Sequence, residues 1–270
     1  MVQLLDGKRT AADWAKRLQG RFKGVGRLAA VTVGDDPASR LYLEKKAAMA
    51  KGLGAGFVLY WLPVSVGTRA VKQKIAQLNR DRRVAGIIVQ LPLPKRLDSA
   101  EIVNVIAPSK DVDGLTDANI SSGGMLPATA VGIIELVRRY KLELRRKQIV
   151  LLGFSRLLNV PLALYLSGQG NSITILQKGT RDHSCLRQAD VIVSAVGSPK
   201  LIRGKDVKPG AIIIDAGIAR VGKSVVGDVD RNSVDKRAGW LTPVPGGVGP
   251  MTVIALFANL LTAAKTTSQS

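Results

Sequence analysis

Short apolar runs alternate along this chain with longer stretches in which apolar residues recur every three or four positions. The runs predict strands buried on both faces, and the periodic stretches predict amphipathic helices. Thr10 to Leu18 reads as a first helix, with Thr10 as its cap and Asp13 three residues on, a loose capping box. Arg27 to Val33 is a strand ending at Gly34, and a helix opens at Pro37 and runs to about Lys51. Gly52, Gly54 and Gly56 break it before a second strand, Phe57 to Leu62. Thr68 to Asn79 is a helix with Val71, Ile75 and Leu78 on its buried face. Ala85 to Gln90 is apolar on both faces, like a central parallel strand. It runs into Leu91-Pro92-Leu93-Pro94, which the prolines hold extended. A helix over Ser99 to Ile106 follows, and strands alternating with helices to this point make a first α/β unit.

Thr129 to Tyr140 reads as a helix that bridges to a second unit. There, Gln148 to Leu152 is a strand, Gly153-Phe154-Ser155-Arg156 a turn, and Leu157 to Leu166 a helix. Ser172 to Leu176, Val191 to Ala195 and Ala211 to Ile214 are further strands. Strand, glycine turn, helix, strand is the dinucleotide-binding pattern. The full glycine fingerprint is absent: Gly153 is alone, and Asn159 stands where a later glycine would ease helix–strand packing. The second strand ends in Gln177-Lys178-Gly179-Thr180-Arg181, with two bases and no acid for a ribose 2′-hydroxyl. A dinucleotide bound here would be NADP rather than NAD; the alternative is two exposed bases on a very basic protein. Leu241 to Thr252 holds three prolines and three glycines, which suits either a rigid hinge or a loop offering backbone N–H groups to a ligand. Gly249-Pro250 opens a last helix, to about Ala264, that is apolar nearly all round and must pack back on the first unit.

At 270 residues the chain allows two ordinary domains or one large one, and 46% hydrophobic residues suffice for a packed core. Cys185 is the lone cysteine, so no disulfide framework forms within the chain, which suits a cytoplasmic setting. The first residues show no basic stretch followed by an apolar one, so no signal peptide is expected. The longest apolar run, Met251 to Leu261, contains Thr252 and Asn259 and is too short to span a bilayer, so no membrane partner is expected. The formal charge of +20 favours anionic partners. Only residues 138–141 and 145–147 form a dense basic cluster, and aromatic residues are few for base stacking. A solvated basic surface is therefore favoured over a nucleic-acid site.

Ser39, Tyr42 and Lys46 share one face of the helix after the first strand, where open α/β sheets bind ligands. A desolvated lysine there can act as a base; the alternative is a core tyrosine with Lys46 in solvent. Gln90 stands at a strand's carboxyl end, as a ligand contact or as a cap for strand-end backbone groups. Asp111 and Asp113 flank Val112 ahead of Gly114 and read as a turn, or as one ligand for an N–H-rich group. Two acids alone are weak grounds for a metal, and none is expected.

Taken together, the motifs resemble the bifunctional methylenetetrahydrofolate dehydrogenase/cyclohydrolase family nearly end to end. They are Val33 to Ser39 with Tyr42 and Lys46, Val89 to Pro94, Lys110 to Gly114, Asp215 to Ile218, and Pro243 to Thr252. The resemblance implies an α/β fold: an N-terminal α/β substrate domain completed by the C-terminal helix, plus a Rossmann-like NADP-binding domain. The domains would be residues 1–126 with 250–270, and 127–249. It implies a cytoplasmic homodimer, with substrate in the cleft, that oxidises 5,10-methylenetetrahydrofolate with NADP⁺ and hydrolyses the methenyl product to 10-formyltetrahydrofolate. Lys46 resembles the catalytic lysine, Gln90 the glutamine that orients it, Tyr42 the ring stacked on the folate, and Asp113 the carboxylate that accepts from the pterin. Val89, Leu91, Pro243, Pro245, Gly246, Gly247 and Gly249 would line the folate site. Gly153, Phe154, Ser155, Lys178 and Ile218 would contact NADP.

The departures from the family fall at the cofactor. Its Gly-Arg-Ser is Gly153-Phe154-Ser155, its later glycine before proline is Asn159, and its His-Ser pair is Gln177-Lys178. Its Pro-Cys-Thr-Pro run is Pro127-Ala128-Thr129-Ala130. Lys178 could replace the lost arginine as a point charge. A cyclohydrolase with weak or NAD-dependent dehydrogenase activity is thus the alternative function, with a basic nucleic-acid binder a distant third. The surplus positive charge could also attract polyglutamylated folate.

Overall fold

The computed structural model describes residues 2–155, 157–222 and 224–267. Arg156, which the sequence places in the turn after Leu152, lies outside them. The chain opens with β1 (Gln3–Leu4), α1 (Gly7–Leu18), β2 (Arg27–Val33), α2 (Pro37–Leu53), β3 (Phe57–Leu62), α3 (Thr68–Arg80) and β4 (Val84–Val89). The short helices α4 (Ser99–Val103) and α5 (Asp117–Ser122) precede α6 (Ala128–Arg139). Next come β5 (Gln148–Leu152), α7 (Asn159–Ser167), β6 (Ser172–Leu176), β7 (Val191–Ser194) and β8 (Ile212–Asp215). The chain closes with β9 (Ala219–Val221), β10 (Ser224–Val226), α8 (Arg231–Val234), β11 (Trp240–Leu241) and α9 (Val248–Thr267). Two compact units result: a first unit of residues 13–128 with 253–267, and a central unit of residues 2–12 with 129–252.

The first unit is built on a parallel sheet in the order β3-β2-β4. Its middle strand β2 and the whole of β4 are buried, as their unbroken apolar runs require. Val71, Ile75 and Leu78 of α3 and Ile102 of α4 pack with Val31, Val33, Ile87 and Val89 of the sheet. Gly86 leaves a gap on β4 that Val112 and Leu260 fill: a Cβ there would lie 2.6 Å from one and 2.8 Å from the other. Helix α9 brings Leu260, and it also sets Phe257 edge-on to Phe22 with ring centres 6.1 Å apart. Asn259 Nδ2 donates to Val112 O and Leu126 O, each at 2.9 Å, so two loop carbonyls lose no hydrogen bond on burial. Length and composition alone would let α9 cross a membrane, contrary to the expectation of too short a run. Ile254, Leu256, Phe257 and Leu260 are nevertheless at most 1% exposed, so it is a core helix. Burying each such side chain contributes about 1.5–3 kcal/mol.

In the central unit six parallel strands run in the order β1-β11-β8-β7-β5-β6. Alternate residues of β5 enter two cores: Ile149 and Leu151 with Val137 and Leu162, Val150 and Leu152 with Leu186 and Val207. The two-residue strand β1 is held by its pairing with β11, which groups residues 2–12 with 129–252 rather than with 13–126. Helix α1 starts at Gly7, and its cap is Asp6 instead of Thr10: Asp6 Oδ1 accepts from Arg9 N at 2.9 Å, while Thr10 Oγ1 donates to Asp6 O. Helix α7 starts at Asn159, not Leu157, and α9 starts at Val248, which moves Pro250 inside the first turn.

Candidate functional site

Helix α2 is capped by Asp36, whose Oδ2 accepts from Ser39 N at 2.7 Å, with Pro37 at its start. Gly54, at φ 71°, closes it in the left-handed conformation that glycine permits. Its buried residues are Ser39, Leu43, Lys46, Ala50 and Leu53. Tyr42 is half-buried. Lys46 is only 8% exposed, so the reading that leaves it in solvent fails. Its Nζ donates to Gln90 Oε1 at 3.0 Å. Gln90 is fixed in turn: its backbone N–H extends the sheet to Val31 O at 2.8 Å, and Nε2 donates to Leu91 O at 2.7 Å. With its amide nitrogen engaged, Oε1 is left to face the lysine. Ser39 Oγ lies 3.5 Å from the same Leu91 carbonyl, just before the cis Leu91–Pro92 peptide. Val89 is buried in β4 and Leu91 is half-buried.

The two acids after Pro108 have different roles. Asp111 is buried, accepting from Gly114 N at 2.9 Å through Oδ1, and from Thr116 N at 2.8 Å and Asn119 Nδ2 at 2.9 Å through Oδ2. It builds the turn, which Gly114 allows by its φ of 69°. Asp113 is half-buried, and no side-chain hydrogen bond within the described residues occupies its carboxylate. Burial raises its pKa, opposed by Lys46 and reinforced by Asp111. Burial lowers the pKa of Lys46, opposed by Asp113. Each group is therefore shifted toward its neutral form, the condition for moving protons near neutral pH.

In the central unit β5 ends at Gly153, whose φ of 100° turns the chain sharply and whose N–H donates to Leu176 O at 2.7 Å. A Cβ on Gly153 would come within 3.1 Å of Ala195 O. The loop that follows exposes Phe154 and half-exposes Ser155, and the N–H groups of both are free of any partner among the described residues. Free N–H groups at a strand-to-helix turn fit an anion such as a pyrophosphate. Lys178 is exposed just past β6, with no acid at that strand end, and Ile218 is exposed just past β8. Asp215, at the end of β8, is buried with Asp228. It accepts from Gly217 N and Asp228 N through Oδ1 and from Val229 N through Oδ2. Burial pushes it up to about 6, against those three N–H groups.

The loop from Pro243 to Gly249 packs closely on itself and on the start of α1. Val244–Pro245 is cis, Gly246 has φ 111°, and Gly246 O accepts from Lys8 N at 2.8 Å. A Cβ at Gly247 would stand 2.6 Å from Pro243 O.

No group of three or more metal-ligating side chains occurs among the described residues. The structure adds two residues that the sequence did not single out in these roles. Asp228 takes Ser194 Oγ at 2.6 Å and the N–H groups of Val196 and Ser198; Asn159 is described below. Their one signal is a polar residue set among small or apolar neighbours, which many loop residues share.

Family models match both parts of the chain. "Tetrahydrofolate dehydrogenase/cyclohydrolase, catalytic domain" covers residues 5–113, and "Tetrahydrofolate dehydrogenase/cyclohydrolase, NAD(P)-binding domain" covers residues 127–268. The chain is 39% identical to the bifunctional protein FolD of Moorella thermoacetica, over 98% of this chain and 99% of that one. A crystal structure of the bifunctional FolD of Campylobacter jejuni is similar at TM-score 0.95 and 36% identity, covering 99% of this chain and 100% of that one. The Trypanosoma brucei enzyme, solved with NADP cofactor and inhibitor, is similar at TM-score 0.93 and 32% identity, over 100% and 99% of the two chains.

Proposed function

The chain belongs to the tetrahydrofolate dehydrogenase/cyclohydrolase family, and from that premise we propose how its own residues divide the work. It is a bifunctional methylenetetrahydrofolate dehydrogenase and methenyltetrahydrofolate cyclohydrolase with an NAD(P)-binding domain. The observation that carries the assignment of roles is Lys46, buried and held at 3.0 Å by Gln90 Oε1.

In the hydrolysis, water adds to the cationic methenyl carbon and loses a proton; the bond to N5 then breaks as N5 gains one and the hydroxyl on that carbon loses its own to become the formyl C=O, so one proton is released overall. Lys46, neutral for part of the cycle, takes the first proton and returns the second. A cationic substrate beside the amine favours its neutral form further. Gln90 keeps the amine aimed, since its own amide is fixed on Leu91 O. Asp113 accepts from the N–H groups of the pterin, and the ring of Tyr42 stacks on the folate. Val89 and Leu91 position this cluster. Pro243, Pro245, Gly246, Gly247 and Gly249 form a closely packed loop whose backbone supplies further folate contacts.

For the oxidation, the bound dinucleotide supplies the hydride acceptor. We assign its phosphates to the turn at Gly153, Phe154 and Ser155, its 2′-phosphate to Lys178, and its nicotinamide end to Ile218. The exposed base, with no acid from Gln177 to Arg181, supports NADP over NAD. We further read the enzyme as a homodimer, for which Val221 and Val225 on the β9–β10 hairpin offer exposed apolar surface. We place it in the cytoplasm, the setting that its free Cys185 suits. Its +20 charge favours polyglutamylated substrates.

One experiment tests the reading: oxidation of methylenetetrahydrofolate with NADP⁺ and NAD⁺ in parallel, beside hydrolysis of the methenyl form. Faster turnover with NADP⁺ is expected. Preference for NAD⁺ would overturn the role of Lys178, and hydrolysis without oxidation by either would leave only the Lys46 assignment standing.

A further inference from the structure

We propose that Asn159 is a positioning residue for the dinucleotide: its carboxamide turns the Gly153–Phe154 peptide so that the Phe154 N–H faces the ligand's pyrophosphate. The inference rests on reading the Gly153 turn as the dinucleotide site. Asn159 is completely buried at the start of α7. Its Nδ2 donates to two successive carbonyls, Leu152 O at 2.8 Å and Gly153 O at 2.6 Å, which uses both of its protons. The Gly153–Phe154 peptide is trans, cis bonds among the described residues occurring only before Pro92 and Pro245. In a planar trans peptide the N–H points opposite to the C=O. With Gly153 O drawn inward onto Asn159, the Phe154 N–H is turned away from the core, at a residue 61% exposed. It donates to nothing among the described residues, and neither does the N–H of Ser155.

Asn159 Oδ1 supplies the independent observation. It is the one buried side-chain polar atom without a partner among the described residues. Natural structures rarely leave such an acceptor unpaired. A residue kept only to fill that space would do better as leucine, which has no acceptor to orphan. The cost of Oδ1 is borne because Nδ2 must hold both carbonyls.

The test is isothermal titration of the full chain with NADP⁺, NAD⁺ and adenosine 2′-monophosphate, which lacks the pyrophosphate. Asn159→Leu and Asn159→Gly are each expected to weaken both dinucleotides about tenfold, the loss of one charge-assisted hydrogen bond, and to spare the monophosphate. Phe154→Pro deletes the N–H itself at an exposed position and should lose the same factor. Combined with Asn159→Gly it should lose no more than either alone. Full NADP⁺ affinity in a folded Asn159 variant, or in Phe154→Pro, overturns the proposal. So does an equal loss for the monophosphate, which would mark a general collapse of the loop. If the wild-type chain binds neither dinucleotide, the fault lies in the cofactor reading on which this one stands.

Discussion

Replacing Lys46 by methionine separates the chemistry of hydrolysis from the binding of folate. The substitution keeps the unbranched stem in the face that Leu43 and Ala50 share, and removes only the amine. Gln90 Oε1 then loses its 3.0 Å donor, which costs about 1–3 kcal/mol if no water replaces it. Against that, the fold no longer buries an amine whose charged form it disfavours, a gain of similar order. The net change in stability is therefore within about 2 kcal/mol. Its pH dependence is specific. Folding lowers the pKa of Lys46 from 10.5, so between the folded value and 10.5 the unfolded chain holds the extra proton. The stability contributed by this site thus rises with pH through that window and is lowest below it, where the amine must be buried charged. The methionine variant lacks this rise, so its stability relative to wild type falls as pH climbs toward 10.5. Hydrolysis, followed by loss of methenyl absorbance in stopped flow, should slow by about 10²–10⁴-fold, the usual share of a general acid–base group. Folate affinity by titration calorimetry should change little, because Tyr42 and Asp113 remain. Hydrolysis within about threefold of wild type in a folded variant would refute the reasoning, since a proton-transfer group cannot be lost so cheaply.

Two further outcomes follow from the buried carboxylates. Asp111→Ala removes the acceptor of three hydrogen bonds and should cost about 3–5 kcal/mol in urea unfolding, because three buried donors lose their partner at about 1–3 kcal/mol each and water recovers part of it; a loss below about 1 kcal/mol would show that the turn holds without it. Asp215 should titrate with a midpoint near 6, read from its carboxyl ¹³C shift. Because its folded pKa is raised, the unfolded chain gives up this proton first, and the stability the group contributes falls as pH rises from 3.8 to about 6. A midpoint below 3.8 would mean that its three N–H donors outweigh burial.

The strands β2, β3, β5 and β6 were legible to the residue, because short runs rich in apolar and β-branched residues between turn residues have few other uses, whether they lie inside the sheet or, like β3 and β6, at its edge. The start of α1 was not, since Asp6 and Thr10 are both good caps and only the packing of the preceding strand chooses between them. Strands β1 and β11 have two residues each and exist through their pairing, which no local pattern announces. At the site, helical spacing brought Ser39 and Lys46 together because a helix translates sequence into geometry directly. Tyr42 sits at the margin of that face. Asp111 and Asp113 carry the same side chain two positions apart, so their division into turn builder and free carboxylate depends on which of them the Gly114, Thr116 and Asn119 donors reach in space. Asn159 was noticed as a missing glycine, yet its grip on two carbonyls depends on where β5 ends in space.

Helix α9 also sets the timetable on which the chain can fold during synthesis. The first unit needs Leu260 over Gly86, Phe257 against Phe22, and Asn259 on the carbonyls of Val112 and Leu126. All three belong to a segment that leaves the ribosome well after residues 13–128. At about 5–20 residues per second, β4 and the Asp111 turn must wait on the order of ten seconds without their covering helix. The central unit, with residues 2–12 already made, has its last strand, β11, about a dozen residues before residue 253 is added. Chains cut off at residue 252 should therefore carry every strand of the central unit, together with a first-unit sheet still open at Gly86, the stretch of this protein most in need of a chaperone.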